Sequence, residues 1–375
     1  MIERPFWLDR IEAAWRQAPV CWLSGVRRSG KTTLARSLDP ARALYLDCDL
    51  PVVEEMVRDP ALFFRDCRKP VVVFDEIHRL QDPSRVLKIA ADHFPHLRVL
   101  ATGSSTLAAS RKFRDTLAGR KREVRLVPVL GSELPAFGAP LARRLYHGGL
   151  PAALLAEDKA PSFYREWLDS FFAYDIQRLF RFRGAERFNA IVEILLLQSG
   201  DLLDRNRISA ELGVARPTVE SHLRALEVTR AVTLVRPFHG GSRKEIVKMP
   251  RVFAFDTGFV SFARGWDPLR PEDRGVLWEH LVLEDLQARL PDSEVRFWRD
   301  KAGLEVDFVI PRSRSVVDAI ECKWNPRDLD PTAFRAFREL HPRGRNYLVV
   351  PGDAPVHALR FAGVEVTVCG PGGIR

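Results

Sequence analysis

Fifteen residues near the start of the chain, Val20-Cys-Trp-Leu-Ser-Gly-Val-Arg-Arg-Ser-Gly-Lys-Thr-Thr-Leu34, leave few choices for the fold around them. An apolar run leads into Gly25-x-x-x-x-Gly30-Lys31-Thr32, a Walker A spacing. Such a loop joins a strand to a helix and wraps a phosphate chain with backbone N–H groups. Gly25 and Gly30 permit the tight turn and the close backbone approach. Val26, Arg27, Arg28 and Ser29 supply the amides between them. Lys31 is placed to reach β- and γ-phosphates, and the hydroxyl of Thr32, with Thr33 beside it, to hold Mg²⁺. The expected ligand is ATP with Mg²⁺.

Downstream, Val71-Val-Val-Phe-Asp75-Glu76-Ile-His78 is an apolar run ending in two carboxylates. A continuous apolar run suits a strand buried on both faces of a parallel sheet. At this distance from Walker A it reads as Walker B, with Asp75 toward Mg²⁺ and Glu76 polarising the attacking water. Arg98 to Ser105 reads as a further strand ending in small polar residues. Ser104 is the first choice for a group that senses the γ-phosphate, with Thr102 and Ser105 next; the competing reading is a plain strand-end turn. Arg111 to Arg125 carries seven basic and two acidic residues. Arg120 within it is a candidate arginine finger reaching a neighbouring subunit's ATP, against the alternative of a solvated or nucleic-acid-facing stretch.

The middle of the chain reads as helical. A helix is expected over 52–67, and an amphipathic one over 161–180 with Leu168, Phe171, Phe172 and Ile176 on one face. Ile208 to Leu226 fits a helix-turn-helix. Gly213 permits the turn, Pro217 suits the first position of the second helix, and Val219, Leu223 and Leu226 form its buried stripe. That leaves Arg216, Thr218, Ser221, His222 and Arg224 for solvent or DNA. Strands at 232–236 and 245–249 are expected to form a wing carrying Arg243 and Lys244. DNA is the favoured partner, and a protein-contact module is the alternative.

A second chemistry-bearing set lies further on. Glu279 falls on a helix expected over 275–290, Asp307 on a strand, and Glu321-x-Lys323 on the next strand, where alternation sends both side chains to one face. Helix, strand, strand with these residue types fits a PD-(D/E)XK nuclease. Asp307 and Glu321 would hold Mg²⁺, with Glu279 beside them, and Lys323 would steady the nucleophile or the developing charge. A binding-only, non-cleaving version of the same fold is the competing reading.

Composition narrows the rest. The 375 residues carry a net charge of +9, which favours a polyanionic partner. Five scattered cysteines, none spaced C-x-x-C, argue against a disulfide framework or zinc site and fit a reducing cytoplasm. No apolar run approaches a membrane span, and the first residues lack the pattern of a signal peptide. The expected fold class is α/β: a P-loop ATPase core with a parallel sheet over 1–150, a helical linker or lid over 151–200, a winged helix over 201–260 and an α/β restriction-endonuclease-like domain over 261–375.

Taken together, Gly25-V-R-R-S-G-K-T-T, Val71-V-V-F-D-E-I-H, Ala101-T-G-S-S, Leu117-A-G-R, Gly148-G-L-P, Tyr174-D-I, Phe255-D-T-G, Trp278-E, Glu305-V-D-F and Ala319-I-E-C-K resemble one family. These are bacterial and archaeal ATP-binding proteins that join an AAA-type P-loop core to a C-terminal region of unknown function. The resemblance implies ATP binding and hydrolysis, a role with duplex or branched DNA, and assembly into homo-oligomers, rings among them. Two functions stay open: an ATP-dependent motor or remodeller acting on DNA, with or without nuclease activity, and a nucleotide-switched regulator whose C-terminal parts only bind.

Overall fold

The first five apolar runs pair side by side. The computed structural model describes residues 2–103, 111–180, 185–240, 249–352 and 355–374. β1 (Val20–Ser24), β2 (Ala43–Asp47), β3 (Val71–Asp75), β4 (Arg98–Thr102) and β5 (Lys121–Arg125) form an all-parallel sheet in the order β2-β3-β4-β1-β5. β1 and β3 are buried along their whole length, as expected for apolar strands covered on both faces. β4 runs between them, so its carboxyl end lies between the glycine loop and Asp75. Trp22, Val72, Phe74, Leu87, Phe113 and Leu117 make the core on one face. The helix expected over 52–67 is two helices, Pro51–Met56 and Pro60–Asp66. Pro60 has no N–H to continue the first helix, and the Asp59 carboxylate caps the second by accepting from the amides of Ala61 and Leu62.

The structure divides into two compact units. The first comprises residues 1–127, 170–181 and 228–230; the second comprises 128–169, 182–227 and 231–375. The sheet of the second unit takes strands from two of the four segments expected from sequence, 201–260 and 261–375. Its strands are β6 (Val232–Pro237), β7 (Arg251–Ala254), β8 (Arg296–Arg299), β9 (Glu305–Pro311), β10 (Val317–Cys322), β11 (Asn346–Val349), β12 (His357–Phe361) and β13 (Val364–Cys369), in the order β12-β13-β11-β10-β9-β8-β6-β7. β6 pairs antiparallel with β7 and parallel with β8. The hairpin that follows the helix-turn-helix therefore shares a sheet with the carboxylate-bearing strands, across the boundary expected at 260. β6 pairs with β7 at 251–254, and the strand expected at 245–249 lies, but for its last residue, outside the described residues. Arg243 and Lys244 lie outside the described residues.

The helix-turn-helix forms as expected, with helices Arg205–Leu212 and Arg216–Val228 and Gly213 in the left-handed region at φ 60°. Ile208, Val219, Leu223 and Leu226 are buried. His222 is a correction: it is buried, its Nδ1 lies 2.7 Å from the Thr218 carbonyl, and burial pushes its pKa down. It belongs to the core and not to a DNA-facing surface. The expected helix over 161–180 is α-helical over Pro161–Phe171, widens to a π-helical turn over Phe172–Ile176 and resumes over Gln177–Phe180. Among the described residues no helix is long and apolar enough to cross a membrane, and all five cysteines are free thiols.

Candidate functional site

In the first unit, the loop between β1 and helix Lys31–Arg36 has the geometry its glycines imply. Gly30 is left-handed at φ 95°. A Cβ on Gly25 would lie 2.5 Å from the Leu126 carbonyl oxygen, so no larger residue fits there. Lys31 folds back, its Nζ donating to the carbonyls of Gly25 and Val26 at 3.0 Å each. Desolvation lowers the Lys31 pKa against the opposing charges of Glu76, Asp175 and Asp75. Arg4 braces the loop from the N-terminal segment, donating to the Ser29 carbonyl at 3.2 Å and the Val127 carbonyl at 3.4 Å. The Ser29 hydroxyl is buried without a hydrogen-bond partner among the described residues.

The Walker B pair sits at the end of β3. Asp75 is buried, and both its oxygens accept hydrogen bonds: Oδ2 from the Tyr45 hydroxyl at 2.6 Å and Oδ1 from the Thr102 hydroxyl at 2.5 Å. The Thr102 oxygen in turn accepts from the Glu76 amide at 2.9 Å. Thr102, the second choice for a sensing residue, thus bridges the two acids. Ser104 and Ser105 lie outside the described residues. Glu76 itself is left-handed at φ 54°, a conformation that costs a non-glycine residue about 1–3 kcal/mol. Its carboxylate lies 3.1 Å from His78 Nδ1. Burial alone would raise its pKa, but the His78 hydrogen bond and the Lys31 charge hold it below the usual range. Gly103 follows from packing: a Cβ there would lie 2.8 Å from the Trp22 ring.

Arg120 is in a two-pronged ion pair with Asp92 of the same chain, with Nη2 3.1 Å from Oδ2. It also donates to the carbonyls of Thr116 and Ala118. Reaching another subunit would require breaking these bonds. Two residues to which sequence reasoning attached no role also reach the loop. Asp175, buried on the π-helical turn, accepts from Arg27 at 3.3 Å, and the Arg27 guanidinium lies over the Tyr174 ring at 4.9 Å. The residue types suit Mg²⁺-ATP: a lysine and loop amides for phosphate, and Thr32 and Asp75 for the ion.

The second cluster is built on β9, β10 and helix Arg274–Arg289. The β9–β10 register pairs Phe308 with Ile320, and one step further sets Asp307 opposite Glu321. Asp307 accepts from the Cys322 amide at 2.7 Å, and Lys323 Nζ lies 2.9 Å from Glu321 Oε2. Glu321 Oε1 is buried without a hydrogen-bond partner among the described residues. Burial and the Asp307 charge push the Glu321 carboxyl up. Glu279 has a further partner. Its carboxylate is held by Arg251 of β7, which also pairs with Glu305 at 3.1 Å and donates to the Gly200 carbonyl. Burial and the Asp307 charge push Glu279 up in turn, against Arg251. Among the described residues no three His, Cys, Asp or Glu side chains are grouped to hold a metal ion. Asp307 and Glu321 are the two carboxylates expected to hold Mg²⁺, and Arg251 engages the carboxylate beside them, Glu279.

Of the expected DNA-facing residues, Arg216, Ser221 and Arg224 are exposed and Thr218 half-buried. Arg216 is engaged by Glu220 at 3.0 Å and Asn206 at 3.3 Å.

The decisive comparison concerns the first unit. Residues 17–134 match the AAA domain family. Most of that stretch lies in the first unit, whose glycine loop and parallel sheet are thus similar to an AAA-type P-loop core. Residues 139–270 and 274–367 match two domains of unknown function, DUF8612 and DUF4143. The uncharacterized proteins Rv2008c of Mycobacterium tuberculosis and Mb2031c of Mycobacterium bovis are each 28% identical over 324 residues, 84% of this chain and 72% of theirs. Among solved structures, the Walker-type ATPase PABY2304 of Pyrococcus abyssi is similar at 16% identity and TM-score 0.48, over 70% of this chain and 96% of that one. RuvB of Thermotoga maritima is similar at 17% identity and TM-score 0.33, over 63% and 90%.

Proposed function

We propose that the chain binds and hydrolyses ATP in the first unit and couples the nucleotide state to DNA held by the second. The observation that carries the reading is the glycine loop after β1, whose Lys31 faces Asp75 and Glu76 at the end of β3, with Thr102 on the strand between them tying the two acids together. Bound Mg²⁺ would neutralise phosphate charge, held by Thr32 and Asp75. Lys31 exchanges two loop carbonyls for phosphate oxygens. Glu76, kept ionised beside Lys31 and His78, orients the attacking water. Thr102 fixes the Asp75 carboxylate and the Glu76 backbone.

Lys31→Ala is expected to weaken nucleotide binding and abolish turnover. Glu76→Gln is expected to keep ATP bound and stop hydrolysis, since only the water-orienting group is lost. A Glu76→Gln variant with normal turnover would remove Glu76 from this role. Duplex, forked and junction DNA added to the same assay tests the coupling, which requires turnover to rise well above its basal rate.

The Arg251 contacts favour a second reading of the C-terminal cluster, in which it binds rather than cuts. A guanidinium on Glu279 and Glu305 already supplies the positive charge that a second metal ion would bring. Incubation with linear and branched DNA in Mg²⁺ or Mn²⁺, beside Asp307→Ala and Lys323→Ala, separates the two. Cutting by the wild type but not by Asp307→Ala, with ATPase intact, would establish a nuclease site.

A further inference from the structure

We propose that Asp175 is a displaceable counter-ion of the glycine loop, an in-chain carboxylate that must give way when a nucleotide triphosphate enters. This rests on the reading of the loop as an ATP site.

The argument starts from charge. Asp175 is only 6% exposed, yet its carboxylate is bonded to Arg27, which lies between Gly25 and Gly30. Its strongest opposing electrostatic neighbours are Arg27 and Lys31, and Glu76 is a like-charged one. The carboxylate thus faces the two loop cations and the Walker B acid at once, the surroundings that the signature provides for a phosphate. Burial pushes the Asp175 pKa up against these cations, so the charged form depends on them. A triphosphate brought to Lys31 and Arg27 takes over the same partners and adds like charge beside a buried carboxylate. Two anions competing for one pair of cations in a poorly solvated place repel each other.

The backbone carrying Asp175 is suited to yield. Phe172–Ile176 is a π-helical turn inside an otherwise α-helical segment. Such turns are rare, have weaker hydrogen-bond geometry, and are frequent at functional sites. Tyr174 stacks on the same arginine and is half exposed, so one register change of the turn withdraws both contacts to Arg27. The turn is covalently continuous with helix Pro161–Phe171 before it and Gln177–Phe180 after it, so its displacement changes the path of the helical segment.

The test uses the full chain, a fluorescent methylanthraniloyl-ATP titration, and hydrogen exchange with and without ATP. Asp175→Asn keeps the shape and removes the charge, and is expected to bind the nucleotide about tenfold more tightly or better. In the wild type, amides of 172–177 are expected to lose protection when ATP is bound, a readout that needs no variant. Unchanged or weaker binding by Asp175→Asn would overturn the proposal and leave a structural or catalytic carboxylate. Unchanged or increased protection of the turn on ATP binding would also overturn it. Lys31→Ala separates this failure from failure of the ATP reading. If the wild type binds no nucleotide, or Lys31→Ala binds as the wild type does, the loop is not the site and the counter-ion proposal falls with it.

Discussion

Asp75 accepts from two hydroxyls, Tyr45 on β2 and Thr102 on β4, and those bonds fix its rotamer before any ligand arrives. Thr102 does more than Tyr45, because its oxygen also takes the Glu76 amide while Glu76 is held left-handed. Thr102→Val removes a donor to a charged acceptor and leaves a backbone N–H unpaired, each worth about 1–3 kcal/mol. The expected result is a clear fall in thermal stability of the first unit. Steady-state turnover should fall by about tenfold or more, while nucleotide affinity is nearly kept. Tyr45→Phe loses a single bond and should cost less on both measures. Glu76 also predicts a pH effect. The His78 hydrogen bond and Lys31 hold its folded-state pKa below the usual glutamate value, so the ionised base persists as pH falls through that value. The acid limb of the ATPase profile should therefore lie below the ordinary carboxylate range, and His78→Ala should move it upward. An unmoved limb would mean that another group sets it.

At the scale of elements, two motif loops of the second unit hold each other. The Asp256 carboxylate accepts from the amides of Gly149, Leu150 and Gly258. A Cβ on Gly148, which has φ +85°, would lie 1.9 Å from Asp256 Oδ1, and one on Gly258 would lie 2.2 Å from the His147 carbonyl oxygen. Gly148-Gly-Leu-Pro and Phe255-Asp-Thr-Gly are thus a structural lock, in which Asp256 serves a loop more than 100 residues away. Gly148→Ala is expected to lower the denaturation free energy of the second unit by about 3 kcal/mol or more, measured by chemical denaturation, because backbone strain adds to a clash. Beside this lock the buried Arg144–Glu284 pair predicts a related result. Arg144→Met alone should cost about 3–5 kcal/mol by stranding a buried carboxylate, and Arg144→Met with Glu284→Met should recover much of it. These contacts also mark where sequence reasoning stops. β1 and β3 were legible because their apolar runs and the groups that end them are local. Gly213 and the helix-turn-helix stripe were legible for the same reason. Arg4, Tyr45 and Arg251 were not, since each acts on residues 25 or more positions away and none stands in a spacing that signals it; Asp175 was legible only within Tyr174-Asp-Ile, with no role attached, because its partner Arg27 is 148 positions away. The break at Pro60 was the exception: Asp59-Pro60 is a local cap-and-stop signal that a single helix over 52–67 overrides.

At the scale of the whole molecule, the question is what the excess of 58 basic over 49 acidic residues is for. Net charge speaks to association and not to fold. If the helix-turn-helix carries the proposed DNA contact, the energy comes mainly from phosphates, and the signature is salt dependence. Affinity should fall with salt, with log K declining by about 0.9 per log unit for each phosphate neutralised. Arg224 and Arg216 are both exposed on the second helix, but they are not equivalent. Arg216 already shares its charge with Glu220 one turn away, so moving it to a phosphate means giving up that pair, which is worth about 0.3–0.5 kcal/mol at an exposed site. Arg224→Glu should therefore weaken binding more than Arg216→Glu. The double reversal should weaken binding to every duplex sequence alike and reduce the salt slope by about 1.8. Fluorescence anisotropy with labelled duplex and junction DNA over a salt series measures all three quantities. Equal loss at both sites would mean that Arg216 leaves Glu220 without cost. No loss at either, with the wild-type slope retained, would take DNA off the helix-turn-helix and leave that surface for a protein partner.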